Sequence, residues 1–231
     1  MARRKRRGGG TGPLLLVLAA LVLAVGAWYW LRQRPVVAPQ GAPTAQPSTA
    51  VSAERVDARN EGRAITLVGA VRVVHPARDA EIGVGADAVV LVREVRMLQW
   101  QEHCAGTNCS YALEWSARPV DAHAFRDPKG HANATPFPFS SQRFAAGELR
   151  LGAFAVDAEL AAAGAALQPH AVAVASLAPN LAATFRDCEG ALCTGDQAHP
   201  ASGDLRVDYR VAAAGPRTLN GIQRGNRLAA H

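Results

Sequence analysis

Leu91–Trp115, LVREVRMLQWQEHCAGTNCSYALEW, carries two runs of alternating residues separated by the turn-like Ala105-Gly106-Thr107-Asn108. Setting Cys104 opposite Cys109 places Trp100 opposite Leu113, Leu98 opposite Trp115 and Glu102 opposite Tyr111. The large apolar side chains of both runs then share one face. Gln99 with Glu114, Gln101 with Ala112 and His103 with Ser110 share the other. Side chains alternate faces along a strand, so a slip of one residue would scatter this pattern. The stretch therefore reads as one long β-hairpin with a disulfide at its tip. Trp100, Trp115, Met97 and Tyr111 are its expected core residues.

Outward from the hairpin, Ala64–Val74 is rich in β-branched residues and reads as a strand, with Gly69 as a bulge. Pro119, Pro128, Pro136 and Pro138 crowd the segment to Ser141, which reads as an ordered loop. Asp157 is placed to cap a helix running to about Leu167, before Pro169. Ala171–Leu177 and Leu205–Val211 read as further strands. The expected fold class is α+β, a strand-dominated domain whose core runs from about Glu54 to near Val211. It is long enough to bury a sizeable core.

The net charge of +6 invites a nucleic-acid reading, but its distribution removes it. Arg3, Arg4, Lys5, Arg6, Arg7, Arg32 and Arg34 precede every acidic residue, and the remainder of the chain is close to neutral. A neutral domain lacks the basic footprint of a nucleic-acid binder. The charge belongs to a membrane-targeting head. Residues 1–12 form a basic tail, and Pro13–Leu31 carries no charge over ~19 residues, or roughly 28 Å as a helix, enough to cross a hydrocarbon core. Trp28, Tyr29 and Trp30 stand where an aromatic belt lies, and the basic excess before the segment keeps the amino terminus inside. The rival is a cleaved signal peptide with Val25 and Ala27 at its cleavage site. Residues 32–53, with Pro35, Pro39, Pro43 and Pro47, read as an extended linker, and 54–231 as the extracytoplasmic domain. A bacterial cytoplasmic membrane, with this domain in the periplasm, is the expected location.

Four cysteines fall into two pairs of equal spacing, Cys104/Cys109 and Cys188/Cys193. In an oxidising compartment an even count reads as disulfides, and each short turn favours local pairing. The rival is a four-thiolate zinc site, which the spacing alone does not exclude.

Several blocks carry a family likeness. They are Asn60-Glu61-Gly62-Arg63, Asp79, and the signature Arg93, Val95, Met97, Gln99, Trp100 and Glu102. Tyr111, Glu114 and Trp115, Asp121 with Phe125-Arg126, His131, Asn133 and Pro136-Phe137-Pro138 come next, then Gly203-Asp204-Leu205-Arg206-Val207. Together they resemble the transmembrane protein 43 family, also called LUMA. The resemblance implies a membrane protein with its large domain on the lumenal or extracytoplasmic side, and no enzymatic activity. Animal members organise the nuclear envelope through protein contacts. The Ala- and Arg-rich composition points to a bacterial chain, so nuclear partners are not expected. Arg96 and Leu98 replace the acidic and aromatic residues usual in the signature. The later membrane segments that the resemblance implies have no counterpart after Asp208.

No residue pattern assembles a catalytic site. His123 and His131 lie near Asp121 and Asp127 and offer a loop metal site, but loop residues more often satisfy backbone groups. Glu102 and Glu114 fall on opposite faces and fail as an acid–base pair. Asp187, Glu189 and Asp196 lack the spacing of a calcium loop, and Ser116, Ser140 and Ser141 lack a nucleophile elbow. The expectation is a non-enzymatic, membrane-anchored scaffold or membrane-organising domain with no cofactor. Its partners are the membrane, through the anchor, and proteins. The alternative is a periplasmic binding module or hydrolase-like enzyme acting on an envelope component.

Overall fold

A computed structural model describes residues 48–230. The basic tail, the anchor or signal and most of the linker fall outside the described residues. Among the described residues no helix is long and apolar enough to cross a membrane.

The strands in chain order begin with β1 (Thr49–Ala50), β2 (Ala64–His75), β3 (Ala77–Asp79), β4 (Val84–Ala86) and β5 (Ala88–Ala105). They continue with β6 (Asn108–Ser116), β7 (Gln142–Ala145), β8 (Glu148–Leu151), β9 (Phe154–Val156) and β10 (Gln168–Pro169). The last are β11 (Arg186–Cys188), β12 (Ala191–Cys193), β13 (Leu205–Ala213), β14 (Gly215–Arg224) and β15 (Arg227–Ala229). Two short helices, α1 (Ala158–Ala162) and α2 (Pro179–Thr184), interrupt them. The domain is strand-dominated, as expected.

Two sheets organise it. In the first, β2 pairs β14, β14 pairs β15, β15 pairs β9, β9 pairs β8 and β8 returns to β2. Five strands thus close a small barrel, filled by Ile65, Leu67, Val71, Leu149, Leu151, Phe154, Leu219 and Leu228. Closure removes the unpaired edges an open sheet would leave. In the second sheet the order is β11-β12-β13-β5-β6, with β7 beside β5 and β10 beside β13. Leu91, Val95, Met97, Leu205, Val207 and Phe185 fill the core over its odd-numbered β5 face.

Several sequence readings change. The structured chain starts before Glu54: β1 pairs with β2, and Ala53 is buried in the barrel core. It also continues past Val211 through β14 and β15. Gly69 is not a bulge, since its register with β14 is unbroken; the irregularity falls between Val73 and His75. Its missing side chain instead lets Leu151 approach, and a Cβ there would lie 3.1 Å from Leu151. The helix after Asp157 ends at Ala162, with Gly164 at φ +69° beyond it. Asp157 makes no cap bond and pairs with Arg227 instead. Ala171–Leu177 holds a single 3-10 turn, Val174–Ser176, rather than a strand.

Candidate functional site

The hairpin forms in the expected register, from Met97 opposite Ser116 to Ala105 opposite Asn108. Cys104 is bonded to Cys109 and Cys188 to Cys193. Each pair is bonded within itself, and no free thiol remains among the described residues. Glu102 lies beside Cys104 and Cys109 as a group of metal-binding residue types, but both sulfurs are consumed by the disulfide.

The two faces of the hairpin have different covers. Met97 and Gln99, on the odd-numbered face, are 2% and 0% exposed. Gln99 reaches the following loop: its Nε2 donates to Arg118 O and its Oε1 accepts from Val120 N–H. Trp100 and Tyr111, on the other face, are half-buried beneath the proline-rich loop. His131 stacks on Tyr111 at 3.9 Å between ring centroids and meets Trp100 edge-on at 4.8 Å. Trp115 is 42% exposed. The expectation of one shared core for Trp100, Trp115, Met97 and Tyr111 is therefore corrected. Alternation puts Met97 and Trp100 on opposite faces, and on the second face Leu98 is buried while Trp115 opposite it is exposed.

The loop is clamped by polar bonds. Asn133 imitates a neighbouring strand: its Oδ1 accepts from Trp100 N–H at 2.7 Å and its Nδ2 donates to Trp100 O at 3.0 Å. It takes over near where the pairing of β13 with β5 ends at Leu205 and Met97. Glu102 accepts from the Tyr111 hydroxyl at 2.7 Å and from Arg126 N–H at 2.6 Å, and Tyr111 Oη accepts from Asp127 N–H. These bonds hold the Glu102 carboxyl below the usual carboxylate range, Tyr111 first and Arg126 second. The Tyr111 hydroxyl is held above its ordinary value, by desolvation first and by Glu102 second.

A second cluster lies in the core. Arg93 and Asp79 are both 0% exposed and paired at 2.7 Å. Arg93 also donates to Glu81 at 2.6 Å and to Ser140 O at 2.8 Å, and its guanidinium lies 5.9 Å and 5.6 Å from the ring centroids of Phe139 and Phe144. The Tyr209 hydroxyl donates to Asp79 at 2.7 Å from the facing position on β13. Burial, then this bond to Asp79, pushes the Tyr209 hydroxyl far above its ordinary range. No motif singles out Tyr209. The signal for the cluster is Arg93 itself, a charge on the apolar face set by Leu91, Val95 and Met97.

The remaining candidates are turn builders. Gly203 N–H donates to Leu98 O, and Leu98 N–H to Asp204 O, extending the ladder into the Gly203-Asp204 turn. Arg206 donates to Asp208, which Arg96 also grips at 2.6 Å. Arg96 stands directly opposite Arg206, so Asp208 bridges two facing cations; they depress its carboxyl in spite of its desolvation. Asp187 accepts from Gly190 N–H and Asp196 from Ala198 N–H, as solvated turn acids do. Ser116 Oγ donates to Arg118 O, and Ser141 Oγ accepts from Val95 N–H. A cleft of about 280 Å³ lies over Pro119, Asp121, His123, Pro128 and Asn133. Asp121 is committed to His123 N–H and Asn133 to Trp100.

The family description Transmembrane protein 43 matches residues 97–231, from the middle of β5 through the barrel strands β14 and β15. The chain belongs to the transmembrane protein 43 family. The match leaves Asn60–Arg63, Asp79, Arg93 and Val95 outside it and extends beyond Val211. The Drosophila melanogaster transmembrane protein 43 homolog is 31% identical over 114 residues, 43% of this chain and 30% of that protein. Mus musculus transmembrane protein 43 is 31% identical over 121 residues, 47% of this chain and 30% of that protein. The Homo sapiens protein is 29% identical over the same length and shares. The matched part thus spans about 30% of the length of these relatives. No solved structure matches. None of these relatives carries an enzyme name.

Proposed function

We propose that this protein is a membrane-anchored, non-enzymatic envelope protein whose disulfide-stapled domain organises membrane components through protein contacts outside the cytoplasm. The reading is carried by one observation: the polar side chains of the signature are spent on bracing. Arg93 holds Asp79, Glu81 and Ser140; Gln99 holds the loop at Arg118 and Val120; Glu102 and Asn133 fasten the loop to the hairpin. Such a site stabilises a surface rather than presenting an acid, a base or a nucleophile to a substrate. Membership of a family of transmembrane proteins, the uncharged Pro13–Leu31 segment and the two disulfides support anchoring with the domain outside.

The alternative, a binding module or hydrolase-like enzyme, draws on the cleft at Asp121, His123 and Asn133. At about 280 Å³ it falls just short of the ~300–1,000 Å³ usual for ligand pockets, and two of its polar groups already serve the backbone. The deciding experiment is the intact mass of the native protein from membranes, with thiols alkylated before reduction. Full length without alkylation is the expected result. Four alkylated cysteines would place the domain in a reducing compartment and overturn the reading; a shortened chain would replace the anchor with a cleaved signal. Crosslinking in intact membranes should then join the domain to other envelope proteins, and a domain that never crosslinks to one is no scaffold.

A further inference from the structure

Among the described residues β6 has one sheet neighbour, β5, and its other edge is open. The direction of its backbone groups is set by β5. Leu98 bonds to Gly203 and Asp204, and Trp100 bonds to Asn133, so both turn their N–H and C=O away from β6. Antiparallel ladders alternate, so the residues opposite Leu98, Trp100, Glu102 and Cys104 also point outward. These are Trp115, Leu113, Tyr111 and Cys109. Proteins usually blunt such an edge with Lys, Pro or a bulge. Asn108–Ser116 contains neither residue, its register with β5 is unbroken, and Trp115 on it is 42% exposed.

We propose that this edge pairs with a second copy of the chain, β6 against β6, antiparallel about a two-fold axis at Ala112. Outward-facing residues must meet outward-facing residues, and this register uses all of them. Cys109 meets the partner's Trp115, and Tyr111 meets the partner's Leu113, each pair then repeating by symmetry. About eight backbone hydrogen bonds result. Trp115 comes to lie beside the partner's Cys104–Cys109 disulfide, which covers its exposed ring. On the other face Glu114, the one charge on β6, meets the partner's Ser110, and Ala112 meets the partner's Ala112. No like charges oppose one another, the condition a self-pairing strand must satisfy. This holds whether the domain scaffolds or acts on a substrate.

The test is cysteine crosslinking of the full chain in its own membranes. Ala112 sits in a non-hydrogen-bonded pair of the new ladder, where side chains are closest. Mild oxidation of Ala112→Cys should give a covalent homodimer. Ser110→Cys and Glu114→Cys should each stay monomeric alone and crosslink to one another when expressed together. Leu113→Pro removes an outward donor without touching the ladder to β5. In the Ala112→Cys background it should lower the dimer yield at least roughly tenfold. Leu113→Lys serves the same purpose should the proline variant not fold. The proposal is overturned if Ala112→Cys stays monomeric, or if Ser110→Cys alone dimerises equally well. Capture of a different polypeptide by Ala112→Cys also overturns it, by assigning the edge to a foreign strand.

Discussion

Arg93 is a buried charge whose value depends on what surrounds it. Asp79 is 0% exposed, and it accepts from Arg93, the Tyr209 hydroxyl and the N–H groups of Glu81 and Ile82. Removing the guanidinium strands a carboxylate in the core, so Arg93→Ala should cost about 3–5 kcal/mol in denaturant unfolding. Replacing both partners, as Arg93→Met with Asp79→Leu, should recover much of that loss, because an apolar pair carries no desolvation penalty. A double variant no more stable than Arg93→Ala would show that the cluster is worth more than the charge it neutralises. Glu102 offers a second measurement. Its folded carboxyl titrates below the ordinary value of 4.5, so its contribution is complete above that value. It is lost as pH falls through the lower folded value, when the protonated acid no longer holds Tyr111 and Arg126. Trp100, under the same loop, should report that acid limb by fluorescence, and Glu102→Gln should abolish it. An unchanged limb in Glu102→Gln would move its origin elsewhere.

At the scale of elements, the hairpin register was legible because period-two alternation, a turn and two cysteines gave one answer. The Cys104–Cys109 staple closes a loop with a sequence separation of 5. Such a short loop restricts the unfolded chain modestly, so changing both cysteines to Ala should cost about 2 kcal/mol. Amide exchange should still show Gln99 and Gln101 protected, since the β5 ladder does not depend on the bond. Loss of the whole hairpin instead would make the disulfide its organiser rather than its staple. Other elements were less legible for physical reasons. Asn133 completes the sheet by a side-chain bond across 33 residues, which no local pattern announces. The early end of the helix after Asp157 was not legible because the alanine-rich run has helical propensity throughout, whereas the chain turns out at Gly164 with φ +69°. The exposure of Trp115 was not legible because alternation assigns a face and does not say which residues on it are covered.

For the whole molecule, the barrel was the least legible part. Its closing strands β8, β9 and β15 have 4, 3 and 3 residues, too short for alternation to separate strand from loop. β14 carries Gly215, Pro216 and Gly221 and resembles a tail until its pairing with β2 is known. The ring makes those short strands interdependent, because each supplies both an edge and a wall of the same core. Gly152 shows how tightly it is drawn. It turns β8 into β9 at φ +59°, where a Cβ would lie 2.2 Å from Ala53 O in the segment before β2. A chain ended at Val211 lacks β14 and β15 and leaves Ile65, Leu67, Leu149 and Phe154 without their cover of Leu219 and Leu228. Uncovering four such side chains forfeits roughly 1.5–3 kcal/mol each, comparable with the whole stability of a small domain. The shortened chain should therefore lose amide protection at Leu67 and Leu149 and be cut in β2 by protease, and Gly152→Ala should weaken the same amides to a smaller degree. Native protection at Leu67 in the shortened chain would mean that the ring is a covering and not the element that holds this half of the domain together.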